Sequence, residues 1–426
     1  MDSRKASLVL RNAGVITLEP RRPRARTIYV QGGRILKVSG RDIDPAATGP
    51  GARVIDCAGK TVIPAFHDAH CHIPAYAESL LNIDAGPASV GSIEDIISMI
   101  KEAAATLPAG SWIRCTGYNE YYLEEKRHPT RHDLDRATTA NPVKLTHRSD
   151  HAHVLNSLAL QLAGINIESE EPPGGMIERD LGTGEPSGLL YGMGSYLSQM
   201  IAPASDEEMD TAITRAGRTL LSLGITMLQD ASPGNDMARW NRFIGWKRRG
   251  RFAPRVVMMF GVGELDSLQG RQPFYDKATG LSSGAVKIMI DEVRGSLNPP
   301  QEELNRLTAG IHRRGLQAAL HTVEKTTVGA AVTALEYALK ERPGKGHRHR
   351  LEHCSVCTPA MARRLARMGA GVVTNPAFIY YSGERYLSEV PPHQLQHLYA
   401  INTLLRTGVR VAAGSDAPVA NPDPIN

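Results

Sequence analysis

The sequence of 426 residues predicts an α/β protein in which a small β-sandwich precedes a (β/α)8 barrel of the TIM type. Two patterns predict this arrangement. Residues 1–60 contain short apolar runs separated by turn residues such as Gly32-Gly33, which is typical of a small sandwich. After Lys60 the chain alternates between strand-like runs and amphipathic stretches, and this alternation indicates βα units around a closed parallel sheet.

The predicted sandwich, residues 1–60, is built from short strands. Turn residues such as Asn12-Ala13-Gly14 separate them, and their conformational freedom suits tight reversals of the chain. The predicted strands are Leu8–Leu10, Val15–Leu18, Thr27–Val30, Arg34–Val38 and Arg53–Asp56.

The predicted barrel, residues 61–426, contains more strand candidates than the eight that a barrel needs. We therefore assign the candidates around residues 112–146 to an insertion at about residues 75–200. Helical stretches such as Glu302–Arg314 and Val328–Glu341 lie between later strands. The candidates are Thr61–Phe66, Trp112–Thr116, Val143–Thr146, Ile225–Gln229, Val256–Phe260, Val286–Ile290, Gln317–His321, His349–Glu352, Gly371–Thr374 and Val409–Ala413.

The composition narrows the range of partners. Hydrophobic residues make up 42% of the chain and charged residues 22%, and no apolar run reaches the length of a membrane-spanning helix. The net charge of +5 comes from dispersed basic residues without aromatic interleaving, which argues against nucleic-acid binding. An odd number of cysteines, five, indicates a reducing compartment. We therefore expect a cytoplasmic protein with a small-molecule substrate and neither membrane nor nucleic acid as partner; a homo-oligomer is compatible with these features.

The tripeptide His70-Cys71-His72 is the first candidate for chemistry. Side chains at positions i and i+2 of a strand project from the same face, and imidazole is a common ligand of zinc-like ions. Cys71 should then point to the opposite face. The spacing alone also fits a hydrogen-bonded pair at a strand edge, so the interpretation depends on what lies at the other strand ends.

Residues with ligand chemistry occur at four further strand ends. Lys287 lies in one predicted strand, His321 and His353 end two more, and Asp416 follows the last. In a parallel barrel the reactive residues gather at the carboxyl ends of different strands. Each residue alone could be structural, but their joint occurrence predicts a metal site.

Motifs along the whole chain resemble those of the amidohydrolase superfamily, and within it the amidohydrolase 3 group of YtcJ-like metal-dependent hydrolases. The resemblance implies a distorted barrel with a sandwich built from both chain ends. It also implies a divalent metal site of one or two ions, zinc in the first place and manganese or iron as alternatives. The ligands that it implies are His70, His72, Lys287 in carboxylated form, His321, His353 and Asp416. The matching stretches are Leu8–Ile16, Lys60–Pro64, Pro129–Arg131, Asp133–Asp135, Leu155–Ser157, Leu223–Thr226, Gln229–Asp230 and Glu352–His353.

The activity that this resemblance implies is hydrolysis of a C–N bond in an amide, N-acyl amine or cyclic amide by metal-activated hydroxide. Asp416 would accept a proton and pass it to the leaving amine. His151 matches a position where the family usually has histidine, and we expect it to polarise the substrate carbonyl. Without carboxylation Lys287 is a cation, and a site with one metal ion becomes the better interpretation.

Two departures from the family leave alternatives open. Glu324 forms an HxxE spacing with His321, as in deaminases of this superfamily that act on nitrogen heterocycles at a single metal. It could equally be a carboxylate at a helix N-terminus. A catalytically inactive metal-binding barrel is a third hypothesis. Tyr380, after the seventh strand, could line the substrate pocket or pack under a loop.

The remaining expectations concern the cysteines and the end of the chain. Cys354 and Cys357 form a CxxC without a second pair, so we interpret them as buried structural thiols. The chain stops in what should be a loop after the eighth strand, soon after Asp416. From this we expect a fragment that lacks the last barrel helix and the returning strands of the sandwich.

Overall fold

The computed structural model describes residues 5–149, 151–172, 175–201, 204–268, 275–293 and 295–425. The chain divides into two compact units, Met1–Phe66 and His67–Asn426. No helix within the described ranges is both long and apolar enough to span a bilayer.

The N-terminal unit contains the predicted β structure. Its described residues form one sheet of order β5-β4-β1-β6 and a smaller one of order β3-β2-β7. Val9 and Tyr29 are fully buried in one apolar cluster, and Val15 and Ile28 belong to a second. The strands are β1 (Ala6–Arg11), β2 (Gly14–Ile16), β3 (Arg24–Ala25), β4 (Thr27–Gln31), β5 (Arg34–Ser39), β6 (Thr48–Asp56) and β7 (Thr61–Val62).

The first barrel strand is β8 (Phe66–Cys71), followed by helix α1 (Ile73–Ser79). The predicted strand at residues 61–66 is therefore wrong in its bounds. Thr61 and Val62 form β7 instead, where they pair with β2. Pro64 cannot donate a backbone hydrogen bond, which separates the two strands. The polar residues of β8 also conceal the strand in the sequence, although Asp68, Ala69, His70 and Cys71 are all buried.

A second sheet lies between α1 and the next barrel strand, in the stretch where we expect the insertion. In the part of the chain that the structure describes, its order is β13-β14-β12-β11-β10-β9. Strands β9, β10 and β11 run parallel, and β12 returns antiparallel to β11. The strands are β9 (Ile83–Asp84), β10 (Ile113–Tyr118), β11 (Val143–His147), β12 (Ala152–Leu155), β13 (Met176–Arg179) and β14 (Pro186–Tyr191). The helices are α2 (Ile93–Thr106), α3 (Arg131–Asp135), α4 (Ser157–Leu162) and α5 (Gly194–Met200).

Seven of the remaining strands join β8 in the barrel sheet, whose order among the described residues is β24-β23-β22-β21-β18-β16-β15-β8. The neighbours in this order from β15 to β24 pair in parallel. Strand β17 pairs antiparallel with β18, and β19 and β20 pair antiparallel with each other. The strands are β15 (Ile225–Asp230), β16 (Arg255–Gly261), β17 (Tyr275–Asp276), β18 (Leu281–Ile288), β19 (Asp291–Val293), β20 (Ser296–Asn298), β21 (Ala318–Thr322), β22 (Arg350–His353), β23 (Gly371–Thr374) and β24 (Arg410–Ala413). The helices are α6 (Asp206–Ser222), α7 (Met237–Arg248), α8 (Gln301–Arg313), α9 (Lys325–Glu341), α10 (Pro359–Met368), α11 (Ala377–Glu389), α12 (Pro392–Leu395) and α13 (Ile401–Arg406).

Local sequence signals start and end these helices. Helix α6 begins with a capping box in which Ser205 and Glu208 each accept the backbone N–H of the other. Helix α10 begins after Thr358, whose hydroxyl accepts the N–H of Met361, and ends at Gly369, where φ is +71°. A reader of the sequence can therefore place these boundaries within a residue or two.

The segment after β24 closes the barrel against β8. The N–H of Asp416 donates to the carbonyl of His70 at 2.8 Å, and the N–H of His72 donates to the carbonyl of Ala417 at 2.8 Å. A Cβ at Gly414 would lie 2.6 Å from the backbone nitrogen of His70, so only glycine permits this approach. This seam brings the first and last barrel strands together at the end where the predicted ligands lie.

Candidate metal centre and active site

The two histidines of the tripeptide His70-Cys71-His72 face the same point. His70 is fully buried in β8 and His72 follows the strand directly; their ring centroids are 5.4 Å apart. The Sγ of Cys71 lies 3.5 Å from the carbonyl oxygen of Gln229 on β15. This is the alternation that a strand imposes, with the two imidazoles on one side and the thiol on the other.

Asp416 completes a group of three ligand-type side chains. Its Oδ1 lies 3.3 Å from Nε2 of His70 and 2.9 Å from Nε2 of His72. One ligand atom from each residue lies within 4.8 Å of the others, a separation that one cation can bridge. Burial alone would raise the pKa of Asp416, but the imidazoles of His70 and His72 beside its carboxylate lower that pKa well below the usual range.

His321 and His353 lie beside this group. The ring of His353 is 4.7 Å from that of His70 and 4.5 Å from that of His321. Burial, reinforced by the neighbouring histidine, lowers the pKa of His321 to about 2 and that of His353 to about 3. Both imidazoles are therefore neutral near pH 7, which is the form that binds metal ions.

Lys287 lies in β18 with only 1% of its surface exposed. Its Nζ is buried and has no hydrogen-bond partner within the described ranges. Burial lowers the pKa of Lys287, although the carboxylates of Glu352 and Asp416 act to raise it. A buried amine without a hydrogen bond is costly in a folded protein, which points to a group that the chain alone does not supply.

The donor atoms of this cluster fit a divalent cation. The buried atoms without a hydrogen-bond partner among the described residues include Nε2 of His70, Oδ1 of Asp416 and Nζ of Lys287. Imidazole nitrogens and a carboxylate oxygen are the donors that zinc prefers in catalytic sites. Burial and Lys287 act to lower the pKa of His70, but Glu352 and Asp416, one at each ring nitrogen, raise it. The centre therefore attracts positive charge.

The backbone has an unusual conformation, with a positive φ, at two of the proposed ligands. His353 has a φ of +64° and Asp416 a φ of +60°. For residues with a Cβ, this left-handed conformation is strained, and such strain clusters at functional sites. In a regular strand, Glu352 and His353 would point to opposite faces; the left-handed turn at His353 lets both contact His70.

Three other predicted site residues lie apart from this cluster. None of the three hydrogen-bonds to the proposed ligands in the described structure. His151 is exposed in the turn before β12, and Glu324 is exposed at the N-cap of α9, where its carboxylate accepts the hydroxyl of Thr327 at 3.3 Å. Tyr380 is 81% exposed on α11, where its ring contacts that of Tyr381.

Sequence reasoning missed the residues that hold the ligands in place. Glu352, Ser232 and Asn375 each contact a ring nitrogen of a proposed ligand. Asp68 accepts hydrogen bonds from the N–H and hydroxyl of Ser415 across the seam. The available signal was the charged pair Arg350 and Glu352 in a strand that is otherwise interior.

The cysteines agree with their interpretation as structural thiols. All five are free, and Cys71, Cys115, Cys354 and Cys357 are buried. Cys354 and Cys357 lie beside each other, and this contact together with burial raises the pKa of the Cys354 thiol.

Comparison with known proteins agrees with this geometry. Residues 53–426 match a family described as the amidohydrolase family. The N-substituted formamide deformylase of Arthrobacter pascens is 28% identical over 447 residues, which cover 98% of this chain and 82% of that protein. The YtcJ amidohydrolase of Bacillus subtilis strain 168 is 28% identical over 428 residues, covering 94% and 79%. The crystal structure of an uncharacterized metal-dependent hydrolase from Pyrococcus furiosus has the same fold, with a TM-score of 0.74, 22% identity and coverage of 98% and 86%.

Proposed function

This chain belongs to the amidohydrolase family, and we propose that it is a metal-dependent hydrolase that cleaves the C–N bond of an amide, N-acyl amine or cyclic amide. The observation that carries the proposal is the convergence, at the carboxyl ends of the barrel strands, of buried donor atoms that have no hydrogen-bond partner among the described residues. Nε2 of His70 and Oδ1 of Asp416 lie 3.3 Å apart there, with the buried Nζ of Lys287 in the same interior. In barrels of this kind the active site lies at this end.

We propose zinc as the ion and His70, His72, His321, His353 and Asp416 as its ligands. A divalent ion held there would supply Lewis acidity, which lowers the pKa of a water molecule and polarises a carbonyl group. The neutral state of His321 and His353 supports this role, because protonated imidazole cannot bind a cation.

We propose that Lys287 is carboxylated and that, in this form, it is a ligand through which the site can hold two metal ions. Its buried amine would attack carbon dioxide, forming an N–C bond and releasing a proton, and the product carries a carboxylate in place of a cation. This change removes a positive charge from a site that must hold metal ions. Burial favours it, since burial favours the neutral amine.

Asp416 we propose as the residue that moves the proton. Its carboxylate is ionised, which is the form that can accept a proton from the attacking water. The proton then goes to the nitrogen of the leaving amine as the C–N bond breaks. His151 remains our proposal for polarising the carbonyl, which requires its exposed loop to close over the substrate.

One relative is named an N-substituted formamide deformylase, so we propose N-substituted formamides as the first compounds to test. The alternative of a deaminase draws no support from the position of Glu324, which is exposed at the N-terminus of α9. We further propose the cytoplasm as the compartment, since a reducing environment keeps five free thiols unpaired.

The test combines metal analysis with a substrate panel. We expect about two equivalents of zinc per chain for a site bridged by carboxylated Lys287, and about one if the lysine is unmodified. Formamides, N-acyl amines, cyclic amides and aminated heterocycles are then assayed with zinc or manganese. Release of an amine and a carboxylate supports the proposal, whereas release of ammonia from heterocycles alone, or absence of bound metal, would overturn it.

A further inference from the structure

Three of the four clustered histidines have their second ring nitrogen held by a side chain from another part of the barrel. In each case the atom held is Nδ1, which leaves Nε2 for the centre. The pairs are His70 with Oε2 of Glu352 at 2.5 Å, His72 with Oγ of Ser232 at 3.1 Å, and His353 with Oδ1 of Asn375 at 2.7 Å. Ionised carboxylate and amide oxygens only accept hydrogen bonds, so Nδ1 of His70 and of His353 carries the hydrogen.

The three partners differ in charge. Ser232 and Asn375 are neutral, whereas Glu352 is a carboxylate with no exposed surface. The guanidinium of Arg350 is always charged and donates to Oε1 of Glu352, so the carboxylate is ionised. His70 is therefore the ligand that donates to a full negative charge.

Arg350 holds Glu352 in this position. Its Nε donates to Oε1 of Glu352 at 2.5 Å, while the opposite carboxylate oxygen faces His70. The guanidinium in turn donates to Oε1 of Gln229 at 2.8 Å and to the carbonyl of Ala69 at 3.2 Å. Both carboxylate oxygens thus have fixed partners, and the Glu352 side chain has no freedom to turn away.

The cost of this arrangement indicates a purpose beyond stability. Desolvating a carboxylate and a guanidinium costs several kcal/mol per ion, and apolar residues of similar volume are often as stable or more so. Arg350 and Glu352 are 7% and 0% exposed. The buried pair of Arg350 and Glu352 is explained if the negative charge of Glu352 acts on His70, whose Nδ1 contacts its carboxylate.

We propose that Glu352, held by Arg350, is a positioning residue that fixes the tautomer and direction of His70 and makes it the strongest donor in the metal centre. This inference rests on the metal centre proposed above. Outer partners of ligating histidines raise the basicity of the ligand, and their loss typically weakens metal binding about 10- to 100-fold.

The test measures zinc affinity by competition with a chelator at fixed pH. Glu352→Gln keeps the shape but loses the charge, and we expect the zinc dissociation constant to rise about 10- to 100-fold. Ser232→Ala should weaken binding less, because a neutral hydroxyl is removed. Glu352→Asp keeps a charge beside Arg350 and withdraws the carboxylate from Nδ1, so it should also weaken binding and serves if the glutamine variant does not fold.

The matched control is Asp133→Asn. Asp133 is 9% exposed in α3 and accepts two hydrogen bonds from the more exposed Arg127, so its loss disturbs a charged pair away from the proposed ligands. This variant should lose thermal stability but keep its zinc affinity. If the role of Glu352 were only structural, Glu352→Gln would likewise lose thermal stability and keep its zinc affinity.

A spectroscopic readout separates the two roles further. With cobalt in place of zinc, the visible absorption bands report on the ligand field, and they should shift in Glu352→Gln but not in Asp133→Asn. If the wild-type chain binds no zinc, the proposed function fails. If it binds zinc and Glu352→Gln and Glu352→Asp bind equally well with unchanged cobalt spectra, the function stands and this inference is wrong.

Discussion

Two clusters of buried and half-buried histidines lie at opposite ends of the same barrel. At the carboxyl ends of the strands, His70 and its neighbours direct ring nitrogens at a point where no protein partner among the described residues satisfies Nε2 of His70. At the amino ends, His312, His347 and His349 form a second cluster, with ring centroids 4.4 to 6.1 Å apart.

Every ring nitrogen of the second cluster has a partner. Nδ1 of His349 accepts the N–H of Ala318 at 3.0 Å, so its Nε2 donates to Nδ1 of His312 at 2.9 Å. His312 then donates to the carbonyl of Arg342 at 2.8 Å. His347 accepts the N–H of His349 at 3.0 Å and donates to the carbonyl of Met368 at 2.9 Å.

Because both clusters contain closely packed histidines, burial and clustering do not by themselves indicate a ligand site. The distinguishing property is the unsatisfied nitrogen, since nearly all buried polar atoms in proteins have a partner. The first cluster therefore implies an external group, whereas the second is a structural network. Substitutions at the two ends should separate these roles.

The largest effect is expected from Asp416→Asn in the first cluster. Loss of a residue that transfers protons typically lowers turnover about 100- to 10,000-fold, while the asparagine still fills the space. The measurement is kcat on the best substrate of the panel, with zinc content determined in parallel. Asp206→Asn, a surface carboxylate paired with Arg242, is the control and should keep full activity. Unchanged kcat in Asp416→Asn would remove this residue from the mechanism.

The next effect is on stability and concerns the second cluster. His349→Leu leaves the N–H of Ala318 and Nδ1 of His312 buried without partners, and each should cost about 1–3 kcal/mol of unfolding free energy. Denaturant unfolding measures this loss, and kcat per folded molecule should be unchanged. A large loss of kcat with normal stability would contradict the structural interpretation.

The pH dependence of folding provides a smaller effect. Burial, with His347 and His312 nearby, lowers the pKa of His349 from 6.5 to about 3. The unfolded chain therefore binds one more proton than the native chain between these values. Stability is complete above pH 6.5 and falls as the pH drops toward 3, by about 1.4 kcal/mol per unit for this group. Unfolding measured from pH 7 to 4 should show a shallower slope in His349→Leu than in wild type; equal slopes would assign the acid sensitivity elsewhere.

The smallest effect is expected from Glu324→Gln, which lies apart from the first cluster. The side chain is exposed at the N-cap of α9 and forms no capping hydrogen bond, and surface substitutions of this kind change energies by about 0.5 kcal/mol or less, so we expect kcat to stay within about twofold of wild type. Steady-state kinetics on amides and on aminated heterocycles measures it. Near-complete loss of turnover on a heterocycle would restore the deaminase hypothesis.

The sequence was sufficient for the barrel, because the barrel depends on local patterns, whereas the ligand set came from strand-end residues together with the family resemblance and stays a prediction. Alternating strands and helices predicted the fold, and the spacing of His70 and His72 predicted that they share a face, as the structure confirms. The first barrel strand was placed too early, since its interior positions carry Asp68 and His70 instead of apolar residues.

The partners of the ligands could not be predicted, because they depend on contacts between strands far apart in the chain. Glu352 reaches His70 only when β22 and β8 face each other across the interior, and Asn375 reaches His353 only after β22 and β23 pair. In the sequence, a histidine such as His349, whose ring nitrogens both have hydrogen-bond partners, likewise cannot be told from a metal ligand. Only the hydrogen-bond inventory of the folded chain distinguishes them.

The seam at Gly414 has a consequence for biosynthesis. Ser415 and Asp68, which bond across it, are 347 residues apart along the chain. The metal centre shares this seam, because Asp416 donates its N–H to the carbonyl of His70. During translation, His70 and His72 therefore leave the ribosome long before Asp416 can join them. A nascent chain that is released before Lys287 is translated would carry His70 and His72 of the proposed ligands and would lack Asp416, the residue that we propose for proton transfer.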